Sequence, residues 1–249
     1  MSFETSSPDP ERTSEPLDQI PLLVLIPTPL ESSILNPLIG DLTRAHSGVI
    51  ELCGFGPISA AARTSQLLAR YRPARVVLLG IAGGIGSTSG IGSATTFRRV
   101  ACAGIGVGQS DQHQSASELG WLQWSGSSLN EGTEATASVG DAISIGWPEI
   151  AELAPQYSSG TLITVTSASR SFADVQLWTN RYPDATAEDM EGYGVALSCH
   201  LHETPLEIVR GISNPAGNRD KRCWNIRGAL EAAADRLAEI LKTQKVPRT

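Results

Sequence analysis

The sequence predicts a single-domain α/β protein built in three layers, α/β/α, around a mixed, mostly parallel central sheet. Three observations predict it. Short continuous apolar runs alternate with longer amphipathic stretches, which is how strands buried on both faces and their covering helices read. The 249 residues suit one α/β domain. Apolar residues make up 41% of the chain and charged residues 18%, a balance that supplies a core and excludes general disorder.

The elements follow in order. Residues 1–19, MSFETSSPDPERTSEPLDQ, are too rich in Ser, Pro, Glu and Asp to bury apolar surface against their ordering entropy. A flexible tail is expected there, ahead of a domain over 20–245. Residues 22–26 form a short apolar run, the first strand. A helix is expected from Glu31, which Pro37 should interrupt or shorten because proline lacks the N–H the helix needs. Residues 49–53 read as a strand, 54–57 as a turn, and 59–71 as a helix with Ala60, Ala61, Leu67 and Leu68 on its apolar side. Residues 75–79 form a third strand, which the glycine-rich segment 80–86 should break off. Residues 92–109 look extended, weakened at Gly104, Gly106 and Gly108, and 110–147 suggest loops and short strands. A β-branched strand at 161–166 follows, then a helix over 170–181. Residues 187–190 lead into a helix over 192–202, and 205–212 form another strand. A last helix over 226–242 places Ala229, Leu230, Ala233, Leu237 and Leu241 on one side.

Charge and motif content narrow the function. Net charge is −7, and Arg98-Arg99 and Lys221-Arg222 are no more than pairs, so no basic stripe that would track nucleic acid is seen. Cys53, Cys102, Cys199 and Cys223 form no C-x-x-C and sit in or beside apolar runs, as buried free thiols of a reducing cytoplasm do. No run approaches the roughly 18 apolar residues of a membrane span, and the N-terminus does not read as a signal peptide. A cytoplasmic protein with no membrane partner is expected. Gly80, Gly83, Gly84 and Gly86 do not meet G-x-G-x-x-G, and after Gly104-Ile105-Gly106 the third glycine is replaced by Gln109. There is no G-K-[ST]. Gly211–Pro215 resembles a nucleophile elbow but ends in proline, and His200 with His202 lacks a third metal ligand. Neither a nicotinamide cofactor nor a metal is expected.

In α/β sheets, ligands bind outside the carboxyl ends of the strands. Glu31, the 83–86 loop, Glu191 and Asn214 all fall at such ends. Three segments there, Gly80-Ile81-Ala82-Gly83-Gly84, Glu188-Asp189-Met190-Glu191-Gly192 and Val209-Arg210-Gly211-Ile212-Ser213-Asn214, together resemble the nucleosidase branch of the nucleoside phosphorylase-like superfamily, over residues 22–242. With Asn218-Arg219-Asp220 and Trp224 added, the chain is similar to the futalosine hydrolase family. Methylthioadenosine/S-adenosylhomocysteine nucleosidases are also similar, with Asp where Asn214 stands. The resemblance implies hydrolysis of the N-glycosidic bond of futalosine, releasing hypoxanthine, in the alternative menaquinone pathway. It also implies a homo-oligomer whose partners are a purine nucleoside and water. The alternatives are another purine nucleosidase (of methylthioadenosine or inosine type), a purine nucleoside phosphorylase, and a non-catalytic nucleoside-binding protein.

This chemistry develops positive charge on the ribose and negative charge on the base, so both ends need stabilising and a water must be placed. A carboxylate at Glu191 can accept from the ribose 2′- and 3′-hydroxyls and faces the developing cation; the resemblance implies the same role. By resemblance Glu31 orients or deprotonates the water, and Met190 packs on the sugar. Ala82, Gly83 and Gly84 would let backbone approach sugar or base. Asn214 offers NH₂ donors and one acceptor at once, so it can donate to N7 or O6 of a 6-oxopurine, implying hypoxanthine over adenine. The family's base-stacking aromatic falls at Ala168-Ser169, placing Ser169 at the base; Phe172 and Trp224 are the alternative rings. Arg219 could fork onto the carboxylate of futalosine's benzoate portion. Phosphorolysis would need arginines at the site, for which Arg63 and Arg98 are the candidates.

Overall fold

The protein is described from a computed structural model over residues 19–86, 90–126, 137–147 and 158–243. The expected tail therefore lies outside the described residues, apart from Gln19. Strand β1 (Leu22–Ile26) is buried along its whole length, as its unbroken apolar run requires. Thr28 caps helix α1 (Pro29–Ala45), its hydroxyl accepting from the Glu31 N–H, with Pro29 in the first turn. Pro37 does not interrupt α1 as expected. It lies on the exposed face, where solvent reaches the carbonyl it leaves without a helical partner, while Leu35 and Ile39 anchor the opposite face in the core.

Strand β2 (Gly48–Leu52) and helix α2 (Pro57–Tyr71) follow. Strand β3 (Arg75–Gly84) runs through the glycine segment instead of ending at Leu79. Its neighbours supply the reason. Parallel pairing with β10 (Leu206–Pro215) and antiparallel pairing with β9 (Ala185–Asp189) satisfy the backbone of these glycines. Strand β4 (Ala94–Cys102) precedes a small ribbon of β5 (Gly106–Val107) and β6 (Gln114–Ser115). Then come β7 (Ala142–Ser144), β8 (Ser158–Thr164) and helix α3 (Phe172–Arg181), whose start is fixed by a capping box between Ser171 and Asp174. Helices α4 (Gly192–Leu201) and α5 (Ile226–Thr243) complete the set used below.

The main sheet runs β10-β4-β8-β9-β3-β1-β2, with β7 on β4. β3 also pairs β10, so β3, β10, β4, β8 and β9 close into a ring, with β1 and β2 extending from β3. Most ladders are parallel; β10–β4, β3–β9 and β4–β7 are antiparallel. On one face, Leu67 and Leu68 of α2 pack in one cluster with Val195 and Cys199 of α4. On the other, Leu35 and Ile39 of α1 join Leu230 and Leu237 of α5. The three layers are those the alternation of apolar runs predicts. Cys53, Cys102 and Cys199 are buried free thiols, but Cys223 is exposed, because it lies in a surface turn after β10. Among the described residues no helix is long and apolar enough to cross a membrane.

Candidate active site

The site is organised around Arg210, an arginine in the middle of a strand that is buried from Leu206 to Asn214. An isolated buried cation is costly unless paired. Here Asp189 Oδ2 accepts from Nε at 3.1 Å and from Nη2 at 2.6 Å, and Glu191 Oε2 accepts from Nη2 at 3.3 Å. Asp189 is itself fixed: Oδ1 accepts from the Thr164 hydroxyl at 2.7 Å and Oδ2 from the Gly192 N–H at 2.9 Å. Nη1 of Arg210 is buried and has no hydrogen-bond partner. It lies beside Gly80, where a Cβ would also meet Glu31 Oε1 at 2.7 Å, so only glycine lets these two charged groups approach β3.

Glu31 stands in the first turn of α1. Its Oε1 accepts from the Ile81 N–H at 3.0 Å and its Oε2 from the Thr28 hydroxyl at 2.5 Å. Glu191 stands just before α4, and Oε1 accepts from the Gly56 N–H at 3.1 Å. Gly56 has φ of 84°, a left-handed conformation that aims this N–H at the carboxylate and that glycine adopts without strain. Burial pushes the Glu191 carboxyl up to about 7, against the pull of Arg210 and with a further push from Asp189. Each oxygen of Glu31 and Glu191 keeps a lone pair for a ligand.

At the other end of the site, Ser213 forms a bulge in the β10–β3 register, so that Asn214 sits opposite Gly83. The Asn214 amide orientation is fixed by chemistry. Nδ2 donates to the Pro215 carbonyl at 2.9 Å, which can only accept, so Oδ1 must take the Ser213 hydroxyl at 2.8 Å. One N–H of the amide is left over. Glu188, on β9, sits opposite Gly83 from the other side. Its oxygens accept from the Ser169 N–H at 3.0 Å and hydroxyl at 2.5 Å. Burial raises the Glu188 carboxyl above its usual range, while Ser169 and Arg219 oppose the rise.

One cavity of about 540 Å³ joins the two ends of the site, with Arg210 buried behind Asp189 and Glu191. Glu31, Ala82, Gly83, Met190, Glu191, Asn214 and Arg219 all line it, so residues scattered over the sequence converge as a set. Gly84 and Ser169 do not line it: Gly84 pairs with Ala187 and Pro215, and Ser169 is spent on Glu188. Of the alternative aromatics, Trp224 lines the cavity with the Arg219 guanidinium 5.1 Å above its ring, whereas Phe172 is 69% exposed and outside it. The pull of Arg219 on Glu188 puts its charge near the Gly83 end. Arg63 lies against Glu51 and Gln66, Arg98 acts on Glu207, and neither lines the cavity. Sequence reasoning gave no role to Arg210, Asp189 or Glu188. A second charge beside Glu207 in the mostly apolar run LEIVRGI was the available signal for Arg210, as were three acids in four residues at 188–191 for the others.

A fold of this kind, with carboxylates backed by a buried arginine at one end of its cavity and an oriented amide at the other, defines the class. The chain belongs to the phosphorylase superfamily, whose family model matches residues 22–244. Within it, the chain is 35% identical over 197 residues to a futalosine hydrolase of Acidothermus cellulolyticus, covering 77% of this chain and 75% of that one. It is 30% identical over 200 residues to the futalosine hydrolase of Streptomyces coelicolor, covering 77% of this chain and 79% of the relative. The fold is also that of the 5′-methylthioadenosine/S-adenosylhomocysteine nucleosidase of Neisseria meningitidis in complex with methylthio-immucillin-A. The TM-score to that structure is 0.69 at 19% identity, over 90% of this chain and 99% of that one.

Proposed function

We propose that this chain hydrolyses the N-glycosidic bond of futalosine, releasing hypoxanthine. The observation that carries the reading is the convergence of Glu191, Glu31 and Asn214 on one cavity, with Arg210 buried behind Glu191, in a chain at least 30% identical to two futalosine hydrolases.

The ribose lies with its 2′- and 3′-hydroxyls on the free lone pairs of Glu191, and Met190 packs beside it. The attacking water donates to Glu31, which orients it and takes its proton. As the bond breaks, the carboxylates face the developing oxocarbenium charge, and the spare N–H of Asn214 stabilises the departing oxopurine at O6 or N7.

Electrostatics favour water over phosphate as the nucleophile. Asp189, Glu191 and Glu31 surround one guanidinium, so the ribose end is negative. Each unmatched carboxylate about 5 Å from a phosphate charge opposes it by roughly 3 kcal/mol at an effective dielectric of about 20. The same charge balance attracts an oxocarbenium ion.

The test is a substrate panel of futalosine, aminodeoxyfutalosine, inosine and methylthioadenosine, each with and without phosphate, with released bases separated by chromatography. Hypoxanthine release from futalosine, unchanged by phosphate and faster than any release of adenine, is expected. A requirement for phosphate, or preference for an adenine nucleoside, overturns the reading.

A further inference from the structure

Glu188 has no part in the chemistry described above, yet it is a buried carboxyl that lines the cavity. Its place is set by register. Gly83 pairs with Asn214 on one side and Glu188 on the other, so the two residues flank a position with no side chain. Two strand spacings separate their Cα atoms, roughly 10 Å, room for a planar base held between two side chains. Ser169 fixes the carboxylate by donating both its N–H and its hydroxyl, one to each oxygen. These donors, with Arg219 nearby, favour the ionised, acceptor-only form of Glu188 against the burial that raises its carboxyl. Each oxygen retains a lone pair.

A 6-oxopurine presents an N1–H donor, the O6 acceptor and the N7 acceptor along one edge. Adenine presents a bare N1 acceptor where hypoxanthine carries the N–H. Asn214 alone discriminates weakly, because its N–H can reach N7 of either base. A carboxylate at N1 discriminates strongly: it bonds to the N–H of hypoxanthine and repels the lone pair of adenine. We propose that Glu188 accepts the N1–H of a 6-oxopurine, so that Glu188 and Asn214 together select hypoxanthine over adenine. Ser169 is then a positioning residue behind Glu188. Arg219, beside Glu188, offsets the charge that would otherwise oppose the departing base. The proposal rests on the purine reading of the cavity and adds its base specificity.

The test measures binding of free bases by titration calorimetry at pH 8, independently of turnover. The unaltered protein is titrated with hypoxanthine, adenine and 1-methylhypoxanthine, which lacks the N1–H. The Glu188→Gln variant is titrated with the same three, and thermal melting checks its fold. Hypoxanthine is expected to bind the unaltered protein roughly tenfold to a hundredfold more tightly than either other base, the range set by one mismatched buried hydrogen bond. Glu188→Gln should lose that preference and gain on adenine, whose N1 can accept from the new amide. Equal binding of hypoxanthine and 1-methylhypoxanthine to the unaltered protein overturns the proposal whether or not the variant folds. A folded variant with unchanged preference does the same. If no purine base binds at all, the purine reading falls with it; if hypoxanthine and adenine bind alike, only the role of Glu188 falls.

Discussion

Replacing Glu191 with Gln separates catalysis from structure at the centre of the site. The amide keeps the volume and one acceptor oxygen, and loses the charge. In the proposed complex the carboxylate accepts from two ribose hydroxyls, each such charged bond being worth about 1.5–3 kcal/mol. It also faces the developing cation. Losing roughly 3–5 kcal/mol of this in the transition state lowers kcat/KM about 10²- to 10⁴-fold. Stability should move the other way. The folded protein holds this carboxyl near 7, above its ordinary value of 4.5, so its stabilising, protonated form is lost as pH rises through about 7. At pH 8 the ionised carboxylate is strained by burial against Asp189, and a neutral amide relieves that strain. The variant is therefore expected to melt no lower than the parent at pH 8, with steady-state hypoxanthine release collapsed. Activity within tenfold of the parent in a folded variant refutes the role given to Glu191. A large fall in Tm with activity lost shows that its role is structural.

The same ionisation makes kcat/KM on futalosine rise with pH through a midpoint near 7, while thermal stability falls between about pH 4.5 and 7 and then levels off; a flat rate profile from pH 5.5 to 8 contradicts this. Arg210→Met leaves Asp189, Glu191 and Glu31 buried together without their cation. It should cost about 3–5 kcal/mol, seen by calorimetry as a Tm drop of roughly 6–20 °C, and a drop under about 3 °C counts against the buried cluster. Asn214→Asp should shift preference toward aminodeoxyfutalosine by roughly tenfold or more in kcat/KM ratios, because a protonated Asp can donate to N7 and accept a 6-amino group; an unchanged ratio removes Asn214 from base selection. Gly80→Ala forces a methyl between Arg210 and Glu31 and should cut turnover and lower Tm together; full activity with an unchanged Tm denies that the two groups are held against β3.

Much of this was legible in the sequence because its causes are local. An apolar run such as Leu22–Ile26 has no fate but a strand buried on both faces, and Ser171 with Asp174 announces the start of α3. The errors arose where tertiary contacts overrule local chemistry. Pro37 persists in α1 because Leu35 and Ile39 hold the helix from the other face. The glycines at 80–84 continue β3 because two neighbouring strands complete their pairing, and the closed ring of strands follows from the same β9–β3 contact. At the site, Glu31, Glu191 and Asn214 stand at strand ends that the topology rule singles out. Arg210 does not, and Asp189 and Glu188, although they close β9, take their meaning from partners far away in sequence: Arg210 depends on Gly80 being bare, and Glu188 on Ser169 and Gly83. Ser169 itself turned from a base contact into the support of a carboxylate.

The central claim is that carboxylates around Arg210 deliver water to the sugar of a purine nucleoside. The most direct measurement runs the reaction on futalosine in ¹⁸O-labelled water containing unlabelled phosphate, and weighs the sugar product by mass spectrometry. One ¹⁸O on the anomeric carbon and no phosphorylated sugar is the result this account requires. A sugar phosphate free of solvent oxygen contradicts it.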